Sequence, residues 1–339
     1  MALTAAVLPS GDQNLDALLM GVRWDAAGIG FSFPESSAFY GSDYSGNEPR
    51  NGFAPLDQAQ SAAARKAFAM IASVTNLGFT EIREDMVNQP EVRLASANIS
   101  GAAWAYSPGP FSISGDAWFR ASWASFADMR PGGYGFYVVM HEIGHAVGLK
   151  HGHETDVFGP MTTDRDSMEF SIMTYRSYVG AAGRYVENES AGYAQSLMMY
   201  DIAALQHMYG ADYTTNAGNT VYRWSPTTGQ AFIDGAGQGT PIGNRILTTI
   251  WDGGGNDTYD FSNYKVRLIV DLRPGAWTSL DPAQIPHLGY ERPARGNIAN
   301  SLLHDEDLRS VIENATGGAG NDTLIGNMVR NVLKGGAGG

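Results

Sequence analysis

The most constraining stretch of this chain is His141-Glu-Ile-Gly-His145-Ala-Val-Gly148-Leu-Lys-His151. Histidines four apart share one face of a helix, so His141 and His145 can meet one metal ion while Glu142 stands beside it without binding. Gly148 lets the chain turn sharply, because glycine accepts positive φ, and His151 can return as a third ligand. Three protein ligands leave one position for water. Zinc lowers the pKa of such a water toward about 7, and Glu142 is placed to take its proton and pass it to a leaving amine. The implied chemistry is hydrolysis of a peptide bond without a covalent intermediate. With only seven histidines in the chain, a chance match to this spacing is a poor rival. His153, His207, His287 and His304 read as loop residues rather than ligands.

Composition narrows the context. There is no cysteine, which excludes disulfide bracing and thiolate chemistry and leaves stability to some other staple. Thirty-five acidic against 22 basic residues give a net charge of -13, which argues against a phosphate-binding surface for nucleic acid and suits a protein that binds cations. No stretch approaches the roughly 20 apolar residues of a membrane span. The segment Met1 to Pro9 lacks the basic opening of a secretory signal peptide, so export by the usual route is not expected.

Pro55 precedes a run from Asp57 to Thr75 with helical apolar spacing, and further helices are expected over Tyr134 to Gly148 and Ala191 to Tyr209, each ending at glycine. Phe79 to Arg83 and Val92 to Ile99 alternate like half-buried strands. Beyond Gly210 the helical patterns give way to Gly, Asn, Asp and Thr between short apolar runs, which places a domain boundary near Asp212. At the end, Gly317-Gly-Ala-Gly-Asn-Asp322 recurs as Gly335-Gly-Ala-Gly-Gly339 after 18 residues, twice a nine-residue period. The second copy stops before its sixth position, so the chain is read as a fragment. Such a unit suits calcium: glycines turn carbonyl oxygens inward and the aspartate supplies charge.

The histidine segment resembles the extended zinc signature of the metzincin metalloproteases. Ser171-Ile-Met173-Thr-Tyr175 then resembles the methionine turn of the serralysin family (peptidase M10, with RTX calcium repeats). That resemblance implies that Met173 forms an apolar floor beneath the zinc ligands. It also implies that Tyr175 approaches the metal, as a possible ligand, and stabilises the oxyanion. Asp16 to Gly21, Ser32-Phe-Pro34, Gly115 to Trp118 and Asp201 to Gly210 are similar to the same family, so the likeness covers nearly the whole chain. Gly152 stands where proline is expected, Thr174 where serine is usual, and Arg176 where an aromatic is common; none is a zinc ligand, so these departures bear on substrate preference rather than chemistry.

The same resemblance assigns calcium donors. Trp251-Asp-Gly-Gly-Gly-Asn-Asp257 gives Asp252, Gly254, Gly255 and Asp257; Asn216, Gly218, Thr220, Val311 and Glu313 match other contributors by position; Gly317, Ala319 and Asp322 supply a repeat half-site. It implies an α+β metzincin domain over residues 1–212 followed by an all-β calcium-binding parallel β-roll over 213–339, truncated here. It further implies a secreted zinc endopeptidase of protein or peptide substrates, acting as a monomer and exported by a bacterial type I secretion apparatus. The strand Ala103-Trp104-Ala105-Tyr106 either pairs with an extended substrate backbone or is an ordinary edge strand with its aromatics packed locally. The rival reading from another class is a calcium-dependent scaffold or adhesion protein with a vestigial site. Intact Glu142 tells against it.

Overall fold

The computed structural model describes residues 3–122 and 124–338; Met1, Ala2, Trp123 and Gly339, the last of which closes the second glycine repeat, lie outside the described residues. Five strands build the sheet of the first half: β1 (Gly28–Ser32), β2 (Gly78–Glu81), β3 (Val92–Ala97), β4 (Ala103–Ala105) and β5 (Ala117–Arg120). Their order is β2-β1-β3-β5-β4. All neighbours run parallel except β4, which lies antiparallel on β5 at one edge.

Helix α1 (Gln58–Val74) starts where expected. The Asp57 carboxylate accepts from the Gln60 amide and the Gln60 side chain accepts from the Asp57 amide, which closes a capping box. Its face of Ala63, Ala64, Ala67, Phe68 and Ile71 is buried, with Phe68 stacked on Phe31 of β1 at 4.1 Å between ring centres. Strand β3 departs from the half-buried expectation, since all six of its residues are buried. The reason is its central place: Val92 and Leu94 face the main core, whereas Ala95 and Ala97 face a second cluster with Trp118, Tyr40 and Tyr44.

Helix α2 (Tyr134–Ala146) is buried at every position after Tyr134. It ends two residues before Gly148, whose φ of +111° turns the chain back; a Cβ there would stand 2.6 Å from the Val22 carbonyl oxygen. Helix α3 (Met199–Tyr209) is shorter than the periodicity suggested, because residues 191–198 are committed elsewhere. The Tyr193 amide donates to the Gly132 carbonyl and that of Gln195 to Leu247, while the Asp201 carboxylate accepts from the Met198 amide and fixes the true start.

Among the described residues, those after Gly210 form no α-helix. Strands β6 (Val221–Trp224), β7 (Ala231–Ile233), β8 (Thr248–Ile250), β9 (Thr258–Asp260), β10 (Ile269–Asp271), β11 (Ile298–Asn300), β12 (Asn314–Thr316), β13 (Thr323–Ile325) and β14 (Val332–Lys334) are short, and most pairings are parallel. Asn314 pairs with Val332, so the 18-residue sequence period is one step of the parallel ladder. The glycines are there because successive layers almost touch: a Cβ on Gly318 would sit 2.3 Å from the Tyr264 carbonyl oxygen, and one on Gly338 1.7 Å from that of Gly320. Tyr222, Trp224, Tyr259, Phe261 and Val270 belong to a separate core under these strands, while Leu247, Trp251, Leu288 and Ala299 pack into the core of the first half.

Candidate metal centre

Helix α2 delivers His141 and His145 from one face, and the turn at Gly148 returns His151 to them. The three Nε2 atoms lie 3.1 Å (His141 to His145), 3.0 Å (His145 to His151) and 3.2 Å (His141 to His151) apart. Each ring is fixed from behind by its other nitrogen. His141 Nδ1 donates to the Ile172 carbonyl at 2.8 Å, His145 Nδ1 to Leu149 at 2.8 Å, and His151 Nδ1 to Glu154 Oε1 at 2.7 Å. Because each Nδ1 is the donor, each Nε2 of a neutral ring carries a lone pair. Burial pushes the pKa of all three rings down, to about 2 for His151, so they are neutral.

Three converging lone pairs repel one another unless a cation sits between them. A point about 2.0–2.1 Å from all three nitrogens, the usual zinc–imidazole distance, lies to one side of their plane and leaves the outer face open. The donor set therefore fits a zinc ion. Among the described residues these imidazoles are the one group of three or more His, Cys, Asp or Glu donors gathered within 4.8 Å.

Glu142 is buried beside them, and its Oε2 has no hydrogen-bond partner. Burial alone pushes its pKa up to about 8. A dication nearby favours the carboxylate, so a bound metal and a basic Glu142 go together. Met173 is fully buried, and a Cβ on Gly144, between the two helical histidines, would meet its sulfur at 2.8 Å. The methionine turn is held in turn by Asp201, which accepts from Ser171 Oγ at 2.6 Å and from the Ile172 amide at 2.8 Å.

Tyr175 packs against two of the three imidazoles. Its ring centre lies 4.4 Å from that of His151 and 5.9 Å from that of His141, and its pKa is pushed up to about 12 by burial and by Glu142 and Glu154. His153, expected to be a loop residue, lies in the turn after His151, with its ring stacked on that of His151 (5.2 Å) and tilted against Tyr175 (4.9 Å). Its adjacency to His151 was the only signal in the sequence. Asp166 was not anticipated either: its carboxylate accepts from both Thr174 Oγ1 and Arg176 Nε, which clamps the residues on either side of Tyr175. The two family departures at Thr174 and Arg176 thus share one partner. Gly152, where proline was expected, uses its amide to donate to the Met173 carbonyl at 3.3 Å, a bond proline could not make.

Ala103, Trp104 and Ala105 form the edge strand β4, antiparallel to β5, and Trp104 and Tyr106 both donate to Glu48 Oε1 at 3.0 and 2.6 Å.

Most of the residues expected to hold calcium come together in the second half. Asp252 and Asp257 are both fully buried; Asp252 accepts from the Gly254 amide and Tyr222 hydroxyl, and Asp257 from the Thr220 amide. Asp257 Oδ2 is buried without a partner. Burial, followed for Asp257 by the charge of Asp252, raises the pKa of both carboxyls. Glu313 accepts from the Asp257 amide, the carbonyls of Asn216 and Gly218 both meet Thr220 Oγ1, and a Cβ on Gly255 would sit 1.8 Å from the Gly218 oxygen. For Val311 the structure shows burial and a turn hydrogen bond to Leu308. Near the end, Asp322 accepts from the Gly318 and Leu268 amides, Gly317 donates to Lys334, and Ala319 donates to Tyr264.

Two family models match the chain in tandem. Matrixin, of peptidase family M10, covers residues 51–174, and the peptidase M10 serralysin C-terminal model covers 211–282. The chain belongs to the serralysin-type M10 family. It is 33% identical over 292 residues to metalloprotease AprA of Pseudomonas entomophila, covering 83% of this chain and 55% of that protein. It is 32% identical over 317 residues to serralysin C of Dickeya chrysanthemi, covering 90% and 61%. The chain thus spans little more than half the length of these relatives. The molecule accordingly has an M10 domain followed by an all-β serralysin domain, whose described residues form strands and no α-helix.

Proposed function

We propose that this chain is the catalytic part of a secreted zinc endopeptidase that hydrolyses internal bonds of protein substrates. The observation that carries the reading is the convergence of three neutral, oriented Nε2 atoms within 3.0–3.2 Å beside a buried glutamate with a partnerless oxygen. Zinc, when bound by His141, His145 and His151, supplies the positive charge that acidifies water and polarises a peptide carbonyl. Glu142 takes the proton of the attacking water and delivers it to the amine that leaves. Tyr175 donates its hydroxyl proton in a hydrogen bond to the oxyanion of the tetrahedral intermediate. Strand β4, at the sheet edge, offers backbone groups to an extended substrate, which favours broad specificity.

The family assignment supports a catalytic domain over 1–212 and a calcium-binding domain over 213–339. We infer that strands β9, β12 and β14, stacked in parallel with an 18-residue step from β12 to β14, are the opening turns of a β-roll. Calcium at Asp252, Asp257 and the surrounding carbonyls would offset two buried carboxylates and brace a chain without disulfides. On the resemblance to the serralysins we further propose an extracellular protease that acts as a monomer and uses a bacterial type I export route.

Casein hydrolysis by calcium-loaded protein, compared with Glu142→Ala, tests the reading. Activity should fall by roughly 10²–10⁴-fold, with one zinc per chain retained in both proteins. A folded, zinc-loaded parent that cuts nothing would favour the scaffold alternative.

A further inference from the structure

Of the three imidazoles, two are carried by a regular helix, but His151 opens a segment, residues 151–159, with neither helix nor strand. Its orientation depends on Glu154, three residues along the same segment. That loop is compact for a reason outside its own sequence. Lys150 is fully buried, with its side chain at 0% exposure, and its Nζ donates to three carbonyls: Glu154 at 3.0 Å, Gly159 at 3.3 Å and His151 at 3.4 Å. The carboxylate of Asp156, mostly exposed, lies 4.0 Å away. Three acceptors match the three hydrogens of an ammonium group. Its backbone is anchored too, the Lys150 amide donating to the Leu18 carbonyl at 2.8 Å. Within the loop, turn bonds run from the Glu154 amide to His151 and from Gly159 to Asp156, and Val157 holds a φ of +57°, unfavourable for a branched side chain.

We propose that Lys150 is a positioning residue for the third zinc ligand: its buried ammonium gathers the carbonyls of loop 151–159 and so fixes both His151 and the glutamate that orients it. Fully buried lysines are rare without such pairing, and removing this one leaves three inward carbonyls without a donor. The helix-borne ligands do not depend on it, since His141 and His145 are tied to Ile172 and Leu149. The proposal rests on the zinc reading only for its effect on affinity; the hold on the loop stands without metal.

The test compares the parent with Lys150→Met, of similar length and without a donor, and with Asp156→Asn, a surface change that decides the matter should the first variant fail to fold. Hydrogen exchange of loop amides is measured in metal-free protein, zinc affinity by chelator competition, and ligand geometry from the visible spectrum of the cobalt(II)-loaded forms. In Lys150→Met the amides of Glu154 and Gly159 should exchange at least about tenfold faster while those of α1 and α2 are unchanged. The zinc dissociation constant should rise roughly 10–100-fold, with an altered cobalt spectrum. Asp156→Asn should move the same readouts in the same direction by a few-fold. Loop protection and affinity within about twofold of the parent would overturn the proposal, as would an equal loss of protection across α1 and α2. A parent that takes up no zinc would sink the metal reading instead, while the exchange data still decide whether Lys150 holds the loop.

Discussion

At the scale of single residues, Tyr175 carries a sharp expectation. In the metal-free protein its hydroxyl keeps its proton near neutrality because burial and two neighbouring glutamates oppose ionisation, so it is a donor to a developing oxyanion rather than a base. Tyr175→Phe should therefore lower kcat by about 10²-fold and leave KM within a few-fold and zinc content intact. Steady-state kinetics with metal analysis checks this, and an effect confined to KM would reassign Tyr175 to substrate binding. The gathering of the three histidines beside Glu142 was legible in the sequence because helical period and a glycine turn are local rules, whereas Met173 was singled out by the family resemblance alone. The residues that hold them were not. Glu154 and Lys150 act through loop 151–159, and Asp166 reaches Thr174 and Arg176 across a fold that no local pattern encodes.

At the scale of elements, the methionine turn and α3 are joined by one buried carboxylate. Asp201 accepts from Ser171 Oγ, the Ile172 amide and the Met198 amide, so it caps α3 and fixes the segment whose carbonyl orients His141. Asp201→Ala should destabilise the protein by about 2–4 kcal/mol, because two buried amides and a hydroxyl lose their acceptor. A lower urea midpoint with an unchanged slope would show it, and a shift below about 0.5 kcal/mol, the range of neutral surface changes, would reject it. This junction also explains why helical periodicity overreached by eight residues, from 191 to 198. The apolar pattern there is real, but its amides answer to Gly132 and Leu247, which are remote in sequence. Strand β3 misled in the opposite sense. Polar residues such as Arg93 and Ser96 suggested a wet face, yet Arg93 is buried in a bidentate pair with Asp116.

At the scale of the molecule, the two halves solve stability differently. Each has an apolar core, but the second also buries Asp252 and Asp257 with no lysine or arginine bridging either carboxylate among the described residues. Both carboxyls have raised pKa values, chiefly through burial. A carboxyl whose folded pKa lies above its unfolded value stabilises the fold while protonated, and that contribution is lost as pH rises from the ordinary carboxylate range through the folded pKa. Calcium-free protein should therefore lose stability on this account between about pH 4 and pH 8, and calcium should restore it by neutralising the pair. Asp257→Asn separates this pair from every other titrating group. Without calcium the variant should match the parent near pH 4 and exceed it at pH 8, by about 2 kcal/mol. With millimolar calcium the order should reverse at pH 8, because the parent gains a ligand the variant has lost. Thermal unfolding at both pH values, with and without calcium, reads all four cases. If the variant is weaker in every one, the buried pair is held by the protein's own dipoles and the second half does not depend on a cation.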